Sequence, residues 1–243
     1  MKLKFLGTRG YIKPKTKRHS LYTSLLIIHN KKKIMIDCGK SYIDKLDKIK
    51  PDAIVLTHGH IDHAYGLENG SNCKVYATKD TFENIKYFPI DKNLKRKVLF
   101  NKKFKINGIA FEAFEVEHSI LCPAVGYRIS FQRNSFFYVP DVLWIKDRKK
   151  AFKNISFYIG DGATIKRSFV RKDKKTNKLY GHANISSQLT WCKKENIKKM
   201  IITHLGSEIV KDEKKAKVKI NELSIKKGVD TLIAYDGMTI NFP

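Results

Sequence analysis

"LTHGHIDHAYG", residues 56–66, places three histidines and an aspartate within six positions, His58 to His63, directly behind the apolar run "DAIVL". A short apolar run bounded by turn residues reads as a buried strand, and the loop behind it can aim several side chains at one point. Imidazole and carboxylate bind zinc, manganese or iron without help from thiolates, and a bound divalent ion lowers the pKa of a coordinated water toward neutrality. His58 and His60 sit two apart, and Asp62 and His63 follow after the chain has turned. The four can face one cavity from two sides, a spacing that suits two ions sharing a site.

Working outward, further donors fall where strands end. His118 follows "FEAFEVE", His204 follows "KKMIIT", Asp141 follows "SFFYVP" and Asp161 follows "SFYIG". A carboxylate placed just past a buried strand needs a partner, and a metal ion supplies one.

Short β-type runs dominate the first half: "KLKFLG", "TSLLIIHN", "KKIMIDCG", "AIVLTH", "KVYAT", "KVLF", "IAFEAFEVEH", "VGYRISF" and "SFFYVPD". Helical patterns are interleaved at "SYIDKLDKI", "KDTFENIKYF" from Lys79, "LWIKDRKKAF" from Leu143, "SSQLTWCKKENI" from Ser186 and "DEKKAKVKINELSIKKG" from Asp212. The second half alternates strand and helix. That order predicts an α/β sandwich with mixed sheets. No repeat, low-complexity linker or composition shift divides the chain, so one domain over residues 1–243 is expected. The segment "KRSFVRKDKKTNK", residues 166–178, carries seven basic residues and one acidic, and reads as an exposed basic loop or hairpin.

Composition narrows the partners. Forty-nine Lys and Arg against 23 Asp and Glu give a formal net charge of +26, which favours polyanions such as nucleic acid, although a lysine-rich surface also arises from proteome bias. The four cysteines, Cys38, Cys73, Cys122 and Cys192, are widely spaced and form no C-x-x-C pair, which argues against a disulfide framework or a thiolate zinc site. No N-terminal stretch has the form of a secretory signal, and no apolar run approaches the ~20 residues that span a bilayer. A cytoplasmic protein without membrane association is expected.

With these residues in place, the sequence resembles the metallo-β-lactamase superfamily over nearly its whole length. The signature H-x-H-x-D-H is met by His58, His60, Asp62 and His63, and "MIDCG" with Asp37, His118, Asp141 and His204 follow the family's order. The resemblance implies a four-layer αβ/βα sandwich of two mixed β-sheets flanked by helices. It implies that His58, His60 and His118 hold one metal, that Asp62, His63 and His204 hold a second, and that Asp141 bridges them. Asp37 would orient the histidine loop. The implied cofactor is two divalent metal ions, zinc first, with manganese or iron as alternatives.

The opening "FLGTRGYIKPKTKRHSLYTSLLI" is similar to the tRNase Z-like and cyclic-phosphodiesterase-like branch. In "YGHANISSQLTWCKKENIKKMIITHLG" the resemblance points to His182 as an extra histidine opening a helix, supported by Asp161 in "IGDGAT". The long glycine- and proline-rich arm of tRNase Z enzymes is not visible, and "HLGSEIV" departs from that branch's closing serine and arginine motif. The expectation is therefore a dinuclear metal-dependent phosphodiesterase or nuclease with Asp62, His182 and Asp161 as catalytic residues. RNA or DNA would contact the basic 166–178 segment, Tyr11, Tyr65 and Phe169 would stack bases, and a homodimer is suggested by the branch. Two alternatives stay open: a small-molecule hydrolase such as a lactonase or cyclic-phosphate phosphodiesterase, and a metal-containing nucleic-acid-binding protein without turnover.

Overall fold

Period-two alternation with apolar residues on both faces is what the central strands carry, and it forces layers on either side of each sheet. Leu25, Ile27, Ile34, Ile36, Ala53 and Val55 join one buried cluster, while the intervening Leu26, Met35 and Ile54 join another. Phe136, Tyr138 and Ile159 likewise separate from Phe137, Val139 and Tyr158.

The structure, a computed structural model, describes residues 1–243. The first half runs β1 (Lys2–Gly7), β2 (Ser24–His29), β3 (Lys32–Ile36), α1 (Leu46–Ile49), β4 (Ala53–Val55), α2 (Ile61–Ala64), β5 (Lys74–Ala77), α3 (Lys79–Asn84), β6 (Lys95–Lys97), β7 (Lys103–Ile106) and β8 (Ile109–Glu117). The second half runs β9 (Ala124–Phe131), β10 (Asn134–Tyr138), β11 (Trp144–Ile145), α4 (Arg148–Phe152), β12 (Phe157–Asp161), β13 (Phe169–Lys172), β14 (Leu179–His182), α5 (Ile185–Lys194), β15 (Lys199–Thr203), α6 (Ser207–Lys211), α7 (Glu213–Lys227), β16 (Asp230–Ile233) and β17 (Thr239–Asn241).

One sheet has the order β17-β1-β2-β3-β4-β5-β6 and the other β11-β8-β9-β10-β12-β15-β16, with β7 also paired to β8. Both are mixed: β3 to β6 run parallel in the first, and β10, β12, β15 and β16 run parallel in the second. β7 covers the first part of the outer edge of β8 and β11 the last part, with Asn101 N bonded to Ala113 O between them. Three apolar clusters fill the three interfaces of a four-layer stack. One lies between the sheets, one seals the first sheet beneath α1 to α3, and one seals the second beneath α4 to α7. At about 1.5–3 kcal/mol for each large side chain removed from water, these clusters dominate the folding free energy. This is the αβ/βα sandwich of two mixed sheets that the family resemblance implies. No helix is long and apolar enough to cross a membrane.

Several elements differ from the sequence reading. The helix expected from Leu143 starts only at Arg148, because Trp144 and Ile145 pair with Glu117 and Val116 on the edge of β8. "SYIDKLDKI" folds as a 3-10 turn, Lys40–Lys45, followed by a four-residue helix that stops at Lys50 in the left-handed region just before Pro51. The basic segment agrees with its reading: it supplies β13 and the turn of the hairpin β13–β14, which stands apart from both main sheets. His182 ends β14 and does not open α5, which begins at Ile185 with the Asn184 side chain as its cap. The last long helix agrees with its signals: Asp212 accepts from Lys215 N, and Gly228 ends it at φ +64°.

Ligand-type residues follow the carboxyl ends of parallel strands in both sheets, where open α/β sheets present their crevices. The loop of residues 8–21 closes over this end. Asp236, just past β16, fixes it by accepting from Thr8 Oγ1 at 2.8 Å, Ser20 N at 2.8 Å, Ser20 Oγ at 3.1 Å and Leu21 N at 2.9 Å. Asp236→Ala strands these donors, and the expected loss is about 2–3 kcal/mol. In a thermal melt this appears as a Tm about 4–12 °C lower; an unchanged Tm would show that the loop is held by other contacts.

Candidate metal centre

The loop behind β4 is anchored before it presents any ligand. Asp37, fully buried at the end of β3, accepts Thr57 N at 2.7 Å, the Thr57 hydroxyl at 2.9 Å and His63 Nδ1 at 2.9 Å. To do so its backbone sits at φ +61°, an uncommon state for a residue with a Cβ and one that clusters at functional sites.

These contacts decide which nitrogen of each ring faces the site. His63 donates Nδ1–H to Asp37, which turns its Nε2 toward the site. The Thr57 hydroxyl donates to Asp37 and so accepts from His58 Nδ1 at 3.0 Å, which turns the lone pair of His58 Nε2 inward. His118 Nδ1 donates to Gly181 O at 3.1 Å, with the same result for its Nε2. Sequence reasoning did not find Thr57 or Gly181, since each acts through a partner distant in the chain. It also missed Gln188, fully buried on α5, which brackets the Asp161 backbone by accepting from its N at 3.0 Å and donating to its O at 2.7 Å. Gln188 did leave a signal: it interrupts the otherwise apolar Ile185, Leu189, Cys192 face.

The ligand-type side chains gather in three groups, within each of which the donor atoms lie within 4.8 Å of one another: His58, His60 and His118; Asp62, His63, Asp141 and His204; and Asp141, Asp161, His182 and His204, the last two sharing Asp141 and His204. Asp141 touches the others, with Oδ2 at 2.7 Å from His63 Nε2 and 3.5 Å from His58 Nε2, and Oδ1 at 3.1 Å from His204 Nδ1. Although close, His63 Nε2, Asp141 Oδ1 and His204 Nδ1 lack hydrogen-bond alignment and are buried without a partner. Buried polar atoms left so are costly, and inward-facing lone pairs from several rings repel one another. A cation between them removes both costs, so the residues present fit divalent ions bound through nitrogen and carboxylate oxygen.

Electrostatics divides the site in two. Burial, together with neighbouring imidazoles, holds His58 well below the usual histidine range, and burial takes His118 down to about 4. These rings are neutral and ready to coordinate. On the other side burial is outweighed: Asp141, with Asp161 and Asp62, raises His204 to about 10, and Asp62, Asp37 and Asp141 raise His63 well above its ordinary value. Burial would raise Asp62 and Asp141, but the surrounding histidines hold both well below the carboxylate range. On this side a metal ion would take the place of the protons that the carboxylates draw onto His63 and His204.

His204 also sits at φ +50°, held by Leu205 N on Thr8 O at 2.7 Å and Gly206 N on Gly162 O at 3.0 Å. Gly10 lies against its ring; a Cβ there would come within 2.9 Å of the imidazole, so this position of the N-terminal loop admits only glycine without displacing His204. His182 donates Nδ1–H to Asp161 Oδ2 at 2.7 Å, and Asp161 is held in turn by Val142 N at 3.0 Å and Ala163 N at 2.8 Å.

A cavity of about 1020 Å³ opens over the centre, lined by His60, Asp62, His118, Asp141, His182 and His204 and by the cations of Lys166, Arg167, Lys211 and Lys219. Tyr11 stands at this cavity with 61% of its surface exposed. Phe169 also lines this cavity, with the His182 ring stacked on one of its faces, whereas Tyr65 is not among the lining residues and makes a T-shaped contact with Phe88.

Comparison with known proteins agrees with this geometry. The family model of the beta-lactamase superfamily domain matches residues 32–205. The chain is 32% identical over 134 residues to the exodeoxyribonuclease WalJ of Streptococcus pneumoniae and 28% identical over 142 residues to the ribonuclease Z of Methanopyrus kandleri. These alignments cover 49% and 52% of this chain and 49% of each relative, so the chain spans about half the length of the relatives it matches. In structure it is similar to the metallo-beta-lactamase fold protein YhfI of Bacillus subtilis, with a TM-score of 0.75 at 17% identity, covering 98% of both chains.

Two outcomes test the centre. Thr57→Val removes the hydroxyl between Asp37 and His58, and zinc titrated into metal-stripped protein is expected to bind about 10–100-fold more weakly; unchanged affinity would refute the relay. At a thousandfold excess of free ion over Kd, the loaded protein should be more stable than the stripped one by about 4 kcal/mol, read as a higher Tm.

Proposed function

We propose, from the premise that this chain belongs to the β-lactamase superfamily, that it is a dinuclear metal-dependent phosphodiesterase acting on nucleic acid. The observation that carries this reading is His182, held by Asp161 at 2.7 Å, beside a centre in which Asp141 Oδ2 lies 3.5 Å from His58 Nε2 and 2.7 Å from His63 Nε2. A phosphodiester with a sugar alkoxide as leaving group needs a proton donor at the departing oxygen, whereas an ester with an activated leaving group has less need of one. The printed names of two relatives, an exodeoxyribonuclease and a ribonuclease Z, support the same substrate class.

His58, His60 and His118 would hold one ion, Asp62, His63 and His204 the other, and Asp141 both, with zinc the first candidate for this donor set. Such ions, when bound, supply Lewis acidity toward a phosphoryl oxygen and lower the pKa of water. The chain's own residues do the rest. Water forms a bond to phosphorus as the bond from phosphorus to the leaving oxygen breaks. The carboxylate of Asp62 or Asp141 takes the water's proton. His182 Nδ1 is engaged by Asp161, so Nε2 faces the cavity and gives its proton to the leaving oxygen. Lys166, Arg167 and Lys211 receive the flanking phosphates, which position the chain without reading its sequence.

Metal analysis of the purified protein, coupled to turnover of a dinucleotide diester, tests this reading. About two ions per chain are expected. Asp62→Ala should lower both metal content and turnover, and His182→Ala should slow cleavage roughly 10²–10⁴-fold. Affinity for a single-stranded oligonucleotide should fall steeply with salt, and Arg167→Ala should reduce the logarithmic salt slope by about 0.7. Metal bound with no turnover of any diester would overturn the proposal in favour of a binding protein. Turnover confined to lactones or cyclic phosphates, with no salt dependence, would point to a small-molecule hydrolase.

A further inference from the structure

The hairpin β13–β14 does more than present positive charge. Phe169 is the direct cross-strand partner of His182, so their side chains share one face of the ribbon. The two rings are stacked, with centroids 5.1 Å apart and planes 10° from parallel. The opposite face of His182 stacks on His204 at 5.7 Å and 16°, and the edge of His118 closes a third side at 4.9 Å. The Asp161 bond fixes Nδ1, but one hydrogen bond leaves an imidazole free to swing about the axis through that contact. Aromatic walls on both faces remove this freedom. Of the two, only Phe169 is without a metal-binding role, and it comes from an exposed ribbon, with the guanidinium carbons of Arg167 and Arg171 at 5.9 and 5.6 Å from its ring centre.

The base of the same hairpin is tied to the ligand loops. Gly181 N donates to His118 O at 2.7 Å, Gly181 O accepts from His118 Nδ1 at 3.1 Å, and Ala183 N donates to Val142 O beside Asp141 at 2.7 Å. The ribbon is thus seated at its base and carries Phe169 against His182 from outside.

We infer that Phe169 is a positioning residue, which holds the His182 ring so that Nε2 points at the leaving oxygen of the substrate. This rests on the proposed function, in which His182 is the proton donor. Its substrate consequence is specific. A departing sugar alkoxide depends on that proton, whereas p-nitrophenolate leaves with little help, so loss of ring alignment must penalise the first more than the second. A displacement of about 1 Å in such a group can cost roughly a hundredfold.

The test compares parent protein, Phe169→Leu and Phe169→Tyr, each loaded with metal, on a dinucleotide diester and on bis(p-nitrophenyl) phosphate. Phe169→Leu should lower kcat on the dinucleotide by about tenfold more than on the aryl ester, with KM little moved, and Phe169→Tyr, which keeps the stacked ring, should restore the ratio. Equal losses on both substrates, or none on either, would overturn the inference while leaving the hydrolase reading intact. Independently of turnover, the ring protons of His182 should lie upfield in the NMR spectrum of the parent and move downfield in Phe169→Leu. Unmoved resonances would overturn the positioning role. No diester turnover by the parent would overturn the proposed function, and the catalytic part of this inference with it, even if the NMR shift appears.

Discussion

The carboxylate of Asp37 is the contact on which the site depends. It joins the end of β3 to the loop behind β4 through the Thr57 amide, the Thr57 hydroxyl and the His63 ring. One buried acceptor thereby fixes the path of the loop and the tautomers of His63 and, through the hydroxyl, His58. Burial raises its own pKa, and the donors around it work the other way. A bare carboxylate at this depth would cost several kcal/mol, and its hydrogen bonds are what make it tolerable. The strain at φ +61° is offset in the same way, by the surrounding bonds.

Around that anchor the molecule gathers more buried charge than a core ordinarily holds. Asp62, Asp141 and Asp161 are all nearly inaccessible, and the three sit among histidines drawn from four different segments of the chain. Two sheets have to bring their strand ends together for these groups to meet. The apolar cluster between the sheets does so, and the free energy it supplies offsets the desolvation of the site. The N-terminal loop completes the enclosure, since Gly10 reaches His204 and Asp236 holds the loop that carries it.

Much of this could be read from the chain, for physical reasons that can be named. His58 to His63 are contiguous, and His118, Asp141, Asp161 and His204 each stand just behind an apolar run, so strand ends marked the gathered residues. The alternation of runs and helical patterns gave the layered architecture. What failed was whatever depended on remote partners. Thr57 and Gly181 look like ordinary loop residues until their acceptors and donors are seen across the fold. The resemblance pointed to His182 as opening a helix, yet it ends β14, and Ala183 and the cap Asn184 separate it from α5. Phe169 does line the cavity, but no sequence pattern says that His182 stacks on one side of its ring.

The two short strands along the outer edge of β8 bear on how the molecule behaves in a crowded solution. β8 has nine residues, and left bare it would offer a long row of amides and carbonyls to a second chain. β7, the Asn101 bond and β11 use that row up between them. The strands that do end the sheets are short: β6 and β17 have three residues and β16 four. β6 reads Lys95, Arg96, Lys97, so the terminal strand on that side is also charged along its whole length. The long hydrogen-bonding surfaces lie inside, and the outer ones are too brief or too repellent to template another strand, which makes this sandwich resistant to edge-to-edge aggregation.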